Sequence, residues 1–263
     1  MLRLGLSTCY FKEKTYEKWV EAKAAGIHDI ELSMNCPVDE YLEKGEGLAA
    51  DIRAVGLNLW SIHIPFGRPF DLSCPDSSQF DAIEERYRLL IDAGARWGAE
   101  VITTHASTEP FDQAERGARM ERGKAVYRKL GEYAMARGMR ITVEVLPRLC
   151  MGNCSGECMA FSDGEVSFIN FDVNHLLWES HADFIANAGS RIITTHISDY
   201  DFVDERHFVP GDGKIDWKDF YARMEAAGYQ GPYLFELGES ISGRVMPVAE
   251  LVSRFKTVIG YED

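Results

Sequence analysis

The sequence predicts an α/β protein, a single (β/α)8 TIM barrel over residues 1–263, and three observations carry that expectation. Strand-like and helix-like segments alternate eight times in a length typical of this barrel as one domain. Several strand segments are near-continuous apolar runs, as expected of strands covered on both faces. A phrase also recurs: AAGIHDIEL, AVGLNLWSI, RWGAEVITT, ARGMRITVE, NAGSRIITT and AAGYQGPYLF each read helix end, glycine, strand. No Pro/Gly/Ser linker or shift in composition divides the chain. An open doubly wound sheet would carry a G-x-G-x-x-G loop after its first strand, and this chain has none there.

The units follow in order. Strand 2–8 leads to an amphipathic helix at 15–25, and Gly26 follows. Strand 28–34 precedes helix 38–54 and Gly56; strand 57–64 precedes helix 79–97 and Gly98. Strand 101–106 is followed by helix 113–137 and Gly138, and strand 140–146 by a short helix at 157–164. Strand 166–173, helix 178–188 and Gly189 make the sixth unit; strand 191–198, helix 216–227 and Gly228 make the seventh. The last pairs strand 233–238 with helix 246–258. The six glycines stand where helix C-caps favour a residue free to adopt positive φ.

Composition narrows the function. A hydrophobic content of 46% supports a large core and excludes a disordered chain. The formal net charge of -14 argues against a nucleic-acid partner, which needs clustered Lys and Arg. The opening MLRLGLSTCYF lacks the apolar length and cleavage site of a signal peptide, and no run is long enough to span a membrane. The expectation is a cytoplasmic protein with no membrane partner. Cys9, Cys36 and Cys74 are scattered, unlike a secreted disulfide framework. Cys150, Cys154 and Cys158 are spaced by four; without a fourth ligand they read as thiols in a Gly-rich loop before they read as a metal site.

The chemistry gathers at strand ends. SIHIP ends near His63, VITTH at His105, INFDVNH at Asp172 and His175, and RIITTHISD at His196 and Asp199; ITVEV carries Glu144 and YLFEL carries Glu236. A barrel points such residues into one mouth, at the C-terminal ends of its strands. Glu144, Asp172, His196 and Glu236 lie on four consecutive strands and form a hard, oxygen-rich set that suits one divalent ion, Mn2+, Mg2+, Co2+ or Zn2+. Glu31 reads equally as a sugar contact or a cap of the barrel interior, and Asp199 as a group that orients a ligand histidine or the substrate. Trp60, Phe66, Trp178 and Trp217 read as core or rim packing before sugar-stacking platforms, and His28 and His181 carry no assigned role.

These motifs give the chain a resemblance. The Glu144 of TVEVLP, the Asp172 and His175 of FDVNH, the His196 and Asp199 of HISDYD, the Arg206 and His207 of DERHFVPGDGKIDW and the Glu236 of YLFELGE resemble the xylose isomerase-like TIM barrels. That group holds sugar isomerases and epimerases and the three-zinc apurinic-site endonucleases. Its epimerase branch implies Glu144, Asp172, His196 and Glu236 as metal ligands, with His175 and Arg206 on substrate hydroxyls. Its endonuclease branch implies a second metal at His63, His105 and Glu144. A third would sit at His175, His207 and an acid, either Asp204 or Glu205. Relatives that form dimers or tetramers leave homo-oligomerisation open.

Isomerising or epimerising a sugar removes a proton beside a carbonyl through an enediolate, which a divalent ion stabilises. Glu144 and Glu236 are the expected acid/base pair, with His63, His105 and His207 as further polar contacts. A dehydratase or lyase acting on a keto-polyol or 3-keto-glycoside begins with the same proton abstraction and would use His175 or His207 as the acid. A multi-zinc phosphodiesterase has the ligand count but not the charge.

Overall fold

A computed structural model describes residues 2–241 and 244–262. Eight parallel strands close into a barrel in sequence order: β1 Leu4–Ser7, β2 Asp29–Ser33, β3 Asn58–His63, β4 Val101–Thr104, β5 Arg140–Glu144, β6 Ser167–Asp172, β7 Ile192–Ile197 and β8 Tyr233–Phe235. The helices that cover it are α1 Tyr16–Ala24, α2 Val38–Val55, α3 Phe80–Trp97, α4 Arg116–Met135, α5 Ser155–Phe161, α6 His181–Ala188, α7 Trp217–Ala226 and α8 Val248–Ile259. Each unit falls within a few residues of its expected place. A two-stranded ribbon, β9 Ser240–Ile241 with β10 Arg244–Val245, was not legible in the pattern.

Burial explains the continuous apolar runs. Leu6, Ile30, Ile62, Ile102, Ile141, Val143, Ile169, Phe171 and Ile197 are all buried between the strands and the helix ring. α3 shows the helical logic: Ile83, Tyr87, Leu90, Ile91 and Trp97 repeat along one face and are buried, while Arg86 and Arg96 are not. None of the described helices is long and apolar enough to cross a membrane.

Five of the six expected C-cap glycines, Gly26, Gly56, Gly98, Gly138 and Gly228, adopt positive φ. Gly189 does not: its φ is -51°, and the chain runs on from α6 into a 3-10 turn at Gly189–Arg191. Its smallness serves packing instead, because a Cβ there would stand 3.0 Å from the Ala227 Cβ.

Two register shifts position the mouth. β3 holds one extra residue, so Leu59 pairs with Ile30 but Ser61, not Trp60, pairs with Glu31. β7 does the same: Ile192 pairs with Ile169 and Thr194 with Asn170, which brings His196 level with Asp172. Such bulges re-aim the side chains that follow them.

Candidate functional site

Glu144 ends β5, Asp172 ends β6, His196 lies in β7 and Glu236 directly follows β8. One ligand atom from each of the four lies within 4.8 Å of the others. His196 Nδ1 is the hub: it stands 3.0 Å from Glu236 Oε2, 3.4 Å from Glu144 Oε1 and 3.7 Å from Asp172 Oδ2. Local chemistry aims the aspartate. Asp172 caps its own 3-10 turn, its Oδ1 accepting the Asn174 N–H at 2.9 Å. Its other oxygen, Oδ2, is buried and accepts no hydrogen bond. Buried carboxylate oxygens demand a partner. An orphan oxygen beside two more carboxylates and an imidazole nitrogen fits a hard divalent cation, so the residues present suit the ion that the donor set implies.

Electrostatics point the same way. Burial alone would raise the Glu144 carboxyl, but the imidazoles of His196 and His105 hold it well below the usual carboxylate range. Burial opposes charge on His196, yet Glu236, Glu31 and Glu144 push it well above the usual imidazole value. The imidazoles of His63, His105, His175 and His196 are the only cationic partners of Glu144 and Asp172 among the described residues; no Lys or Arg pairs with either there.

Glu144 also serves a second corner. Its Oε2 lies 3.0 Å from His63 Nε2 and 3.4 Å from His105 Nε2, a second grouping able to hold an ion. His63 Nδ1 faces the Ile64 carbonyl at 2.8 Å and therefore carries a hydrogen. Its Nε2 must then meet Glu144 either as the second N–H of an imidazolium or as a lone pair with a cation between them. Burial works against the charge, but the hydrogen bond and charge of Glu144 push His63 up to about 9.

The other residues singled out in the sequence separate. His175 donates from Nδ1 to the Val145 carbonyl at 3.0 Å and turns Nε2 toward Glu205 Oε2 at 3.4 Å. His207, at a φ of 50°, donates from Nδ1 to the Glu236 carbonyl at 3.1 Å. Both line a cavity of about 780 Å3 at the strand C-termini, with His63, His105, Glu144 and Glu236. Arg206 is not brought to that cavity; its Nε pairs with Asp201 at 2.9 Å. The cavity's arginine is Arg148, which binds Asp204 Oδ1 at 2.9 Å and Glu205 Oε1 at 3.3 Å and also pairs with Glu109. Asp199 makes no hydrogen bond to His196. It accepts the N–H groups of Tyr200, Gly211 and Ile215 and the indole of Trp217, folding the loop after β7. A Cβ on Gly213 would come within 2.3 Å of that carboxylate.

The cysteine trio forms no ligand group among the described residues: Cys158 donates to the Gly152 carbonyl at 3.2 Å, Cys154 stands at the N-terminus of α5, and none of the groups that could hold an ion contains sulfur. Trp60 and Trp217 are buried; Phe66 and Trp178 are exposed on the rim, Phe66 stacked on His105 with ring centroids 5.4 Å apart. Glu31 gains most from the structure. It is fully buried beneath the mouth, 3.1 Å from His196 Nε2, and does not line the cavity. Its sequence signal was only a carboxylate inside the apolar run DIEL.

Fold and site define a (β/α)8 barrel with residues that could hold a metal ion at the face where such barrels carry their chemistry. A family model described as "Xylose isomerase-like TIM barrel" matches residues 19–255, and the chain belongs to that family. Among solved structures it is similar to a D-tagatose 3-epimerase-like protein, at 16% identity over 98% of each chain with a TM-score of 0.80. It is also similar to a 3-keto-D-glucoside 4-epimerase from E. coli, at 18% identity over 98% of this chain and 99% of that one, with a TM-score of 0.76. A protein from Sinorhizobium meliloti shares 24% identity over 97% of this chain and 98% of its own, with a TM-score of 0.75. At these identities the likeness concerns the fold.

Proposed function

We propose that the domain formed by residues 1–263 is a divalent-metal-dependent sugar isomerase or epimerase that moves a proton beside the carbonyl of a keto-sugar. The observation that carries this reading is the convergence of Glu144, Asp172, His196 and Glu236 on one point at the floor of a sugar-sized cavity. The epimerases among the structural neighbours, named for tagatose and for a keto-glucoside, support the same class. A divalent ion held by the four residues supplies a Lewis acid for a carbonyl and its neighbouring hydroxyl.

The protein's own groups do the rest. Glu144 and Glu236 reach from β5 and from just past β8 to within 3.4 and 3.0 Å of His196 Nδ1. One carboxylate oxygen takes the proton from carbon; the other returns one to the opposite face, which inverts that carbon. Return to the neighbouring carbon instead gives isomerisation. The imidazoles keep Glu144 ionised, as a base requires. His175 and His207 hold hydroxyls, each with Nδ1 anchored on a backbone carbonyl. Apolar Met34, Phe66, Leu146 and Leu237 wall the cavity against water.

Two further readings have their own observation. His207, anchored beside Glu236 in the cavity, is placed to protonate a departing hydroxyl, which favours a dehydratase or lyase. The His63, His105 and Glu144 corner favours a second ion. The His175, His207 and Glu205 side is not among the ion-holding groups of the described residues, and with the charge of -14 this weighs against a three-metal phosphodiesterase. The test is metal analysis of protein purified without chelator, followed by incubation of the Mn2+-loaded protein with ketohexoses and 3-keto-glucosides in deuterated water. Deuterium entering unreacted and epimerised sugar supports the proposal; loss of water from the product supports the lyase. No bound metal and no exchange with any of these sugars refutes it.

A further inference from the structure

We propose that Glu31 is a positioning residue: from the middle of β2 it holds the Nε2–H of His196 and thereby commits Nδ1 to the metal. The inference rests on the metal reading above. An imidazole presents a lone pair on one nitrogen only if the other carries the hydrogen, and a carboxylate behind the ring fixes which nitrogen that is. Here the two nitrogens face opposite surroundings. Nδ1 looks at Glu236, Glu144 and Asp172, whereas Nε2 looks at Glu31, 3.1 Å from Oε1 and 3.3 Å from Oε2. Both side chains are fully buried, so no solvent competes for that hydrogen.

Glu31 is itself held. Its Oε2 accepts the Ser61 hydroxyl at 2.9 Å, and Ser61 is fully buried. The extra residue in β3 is what brings Ser61 level with Glu31. Asn170 lies against the ring from β6, its amide nitrogen 3.2 Å from Nδ1 and 3.1 Å from Nε2. Near-equal distances to both nitrogens mean that Asn170 does not choose between them; Glu31 does. Asp199, three residues beyond His196 in the chain, spends its oxygens on the loop and cannot take this role.

The test is Mn2+ affinity by chelator competition, with the visible spectrum of the Co2+-loaded protein as a second readout. Glu31→Leu is expected to weaken Mn2+ binding by about 10–100-fold and to change the Co2+ bands. Glu31→Gln, whose amide oxygen still accepts the Nε2–H, is expected to recover most of the affinity. Glu31→Leu that binds Mn2+ as tightly as wild type, with an unchanged Co2+ spectrum, overturns the proposal. Should Glu31→Leu fail to fold, the wild-type protein decides. Nitrogen NMR of Zn2+-loaded protein is expected to show His196 protonated at Nε2, and a hydrogen on Nδ1 refutes the assignment. Wild-type protein that binds no divalent ion would fail the metal reading itself, a result separate from either Glu31 outcome.

Discussion

The two ends of the barrel treat buried charge in opposite ways. At the N-terminal end, Arg3 grips Asp29 with two bonds of 2.7 Å, Asn58 adds a third at 2.8 Å, and Arg140 approaches Glu100 at 3.7 Å. The guanidinium groups of Arg3 and Arg140 lie 4.4 and 5.3 Å from the Trp60 ring and close that end. Each acid there has an arginine. At the C-terminal end Glu31, Glu144, Asp172 and Glu236 crowd together with imidazoles alone, and Asp172 Oδ2 has no hydrogen bond. Arginine neutralises the acids at the first end, whereas these four acids at the second meet only imidazoles and form groups that could hold a cation. The lower end is architecture; the upper end is chemistry.

The largest effects belong to the upper end. Glu236→Gln is expected to lower proton exchange by about 1000-fold, equivalent to ~4 kcal/mol of transition-state stabilisation. Thermal stability of the metal-free protein should stay level or rise, because one of several crowded negative charges is gone. Exchange at the native rate would break the assignment of the acid/base pair.

At the lower end the outcome reverses. Asp29→Ala leaves Arg3 without its bidentate partner and removes an acceptor from Asn58. The expected cost is about 2 kcal/mol in denaturant melts, kept below the figure for a fully buried pair because Arg3 is partly exposed. Turnover per folded molecule should be unchanged. A loss of turnover without a loss of stability would erase the contrast between the ends.

The pH dependence sharpens it further. His63 is raised from 6.5 to about 9 in the folded, metal-free protein. A raised pKa means that the folded state binds the proton more tightly than the unfolded state. Its stabilisation is therefore fully present below pH 6.5 and is lost as pH rises through about 9. Melting of metal-free protein is expected to fall over that window by on the order of 1–3 kcal/mol. Saturating Mn2+ should flatten the curve, since a cation replaces the protons that held the acids together. Equal slopes with and without Mn2+ would count against a cation at this end.

Much of this was legible because strand periodicity and strand-end residues obey local rules. Most βα units announce themselves by apolar run, helix and glycine, and polar residues ending such runs stand at the face that carries the mouth. What was not legible depends on geometry between segments. Glu31 meets His196 because one extra residue in β3 and another in β7 shift their registers, and no local pattern reports a bulge. Gly189 breaks the glycine rule because its constraint is Ala227, just past the end of the next helix and distant in sequence. Asp199 sits where a ligand-orienting acid was expected, but the loop it organises consumes its oxygens.

The arginines give the finest comparison, within the upper rim itself. Arg206 and His207 are neighbours that the sequence reading places together on the substrate, but only His207 enters the cavity. Asn174 settles it: its Oδ1 accepts both backbone N–H groups, at 2.9 and 3.3 Å, while His207 takes a φ of 50°. That local turn sends His207 inward and leaves Arg206 to Asp201. Arg148 meanwhile gathers the rim. Its side chain binds acids from the loops after β4 and β7, and its carbonyl accepts the Trp178 indole from the loop after β6 at 2.6 Å. Single exposed ion pairs contribute little, but this cation holds several segments of one wall in place. Arg148→Gln is thus expected to raise KM by up to about tenfold with a smaller change in kcat, near 1.4 kcal/mol of binding. Arg206→Gln should leave both constants within about twofold, as for a rim charge paired outside the cavity. Steady-state kinetics on the two variants separate them, and an Arg206→Gln effect as large as that of Arg148→Gln would return Arg206 to the substrate.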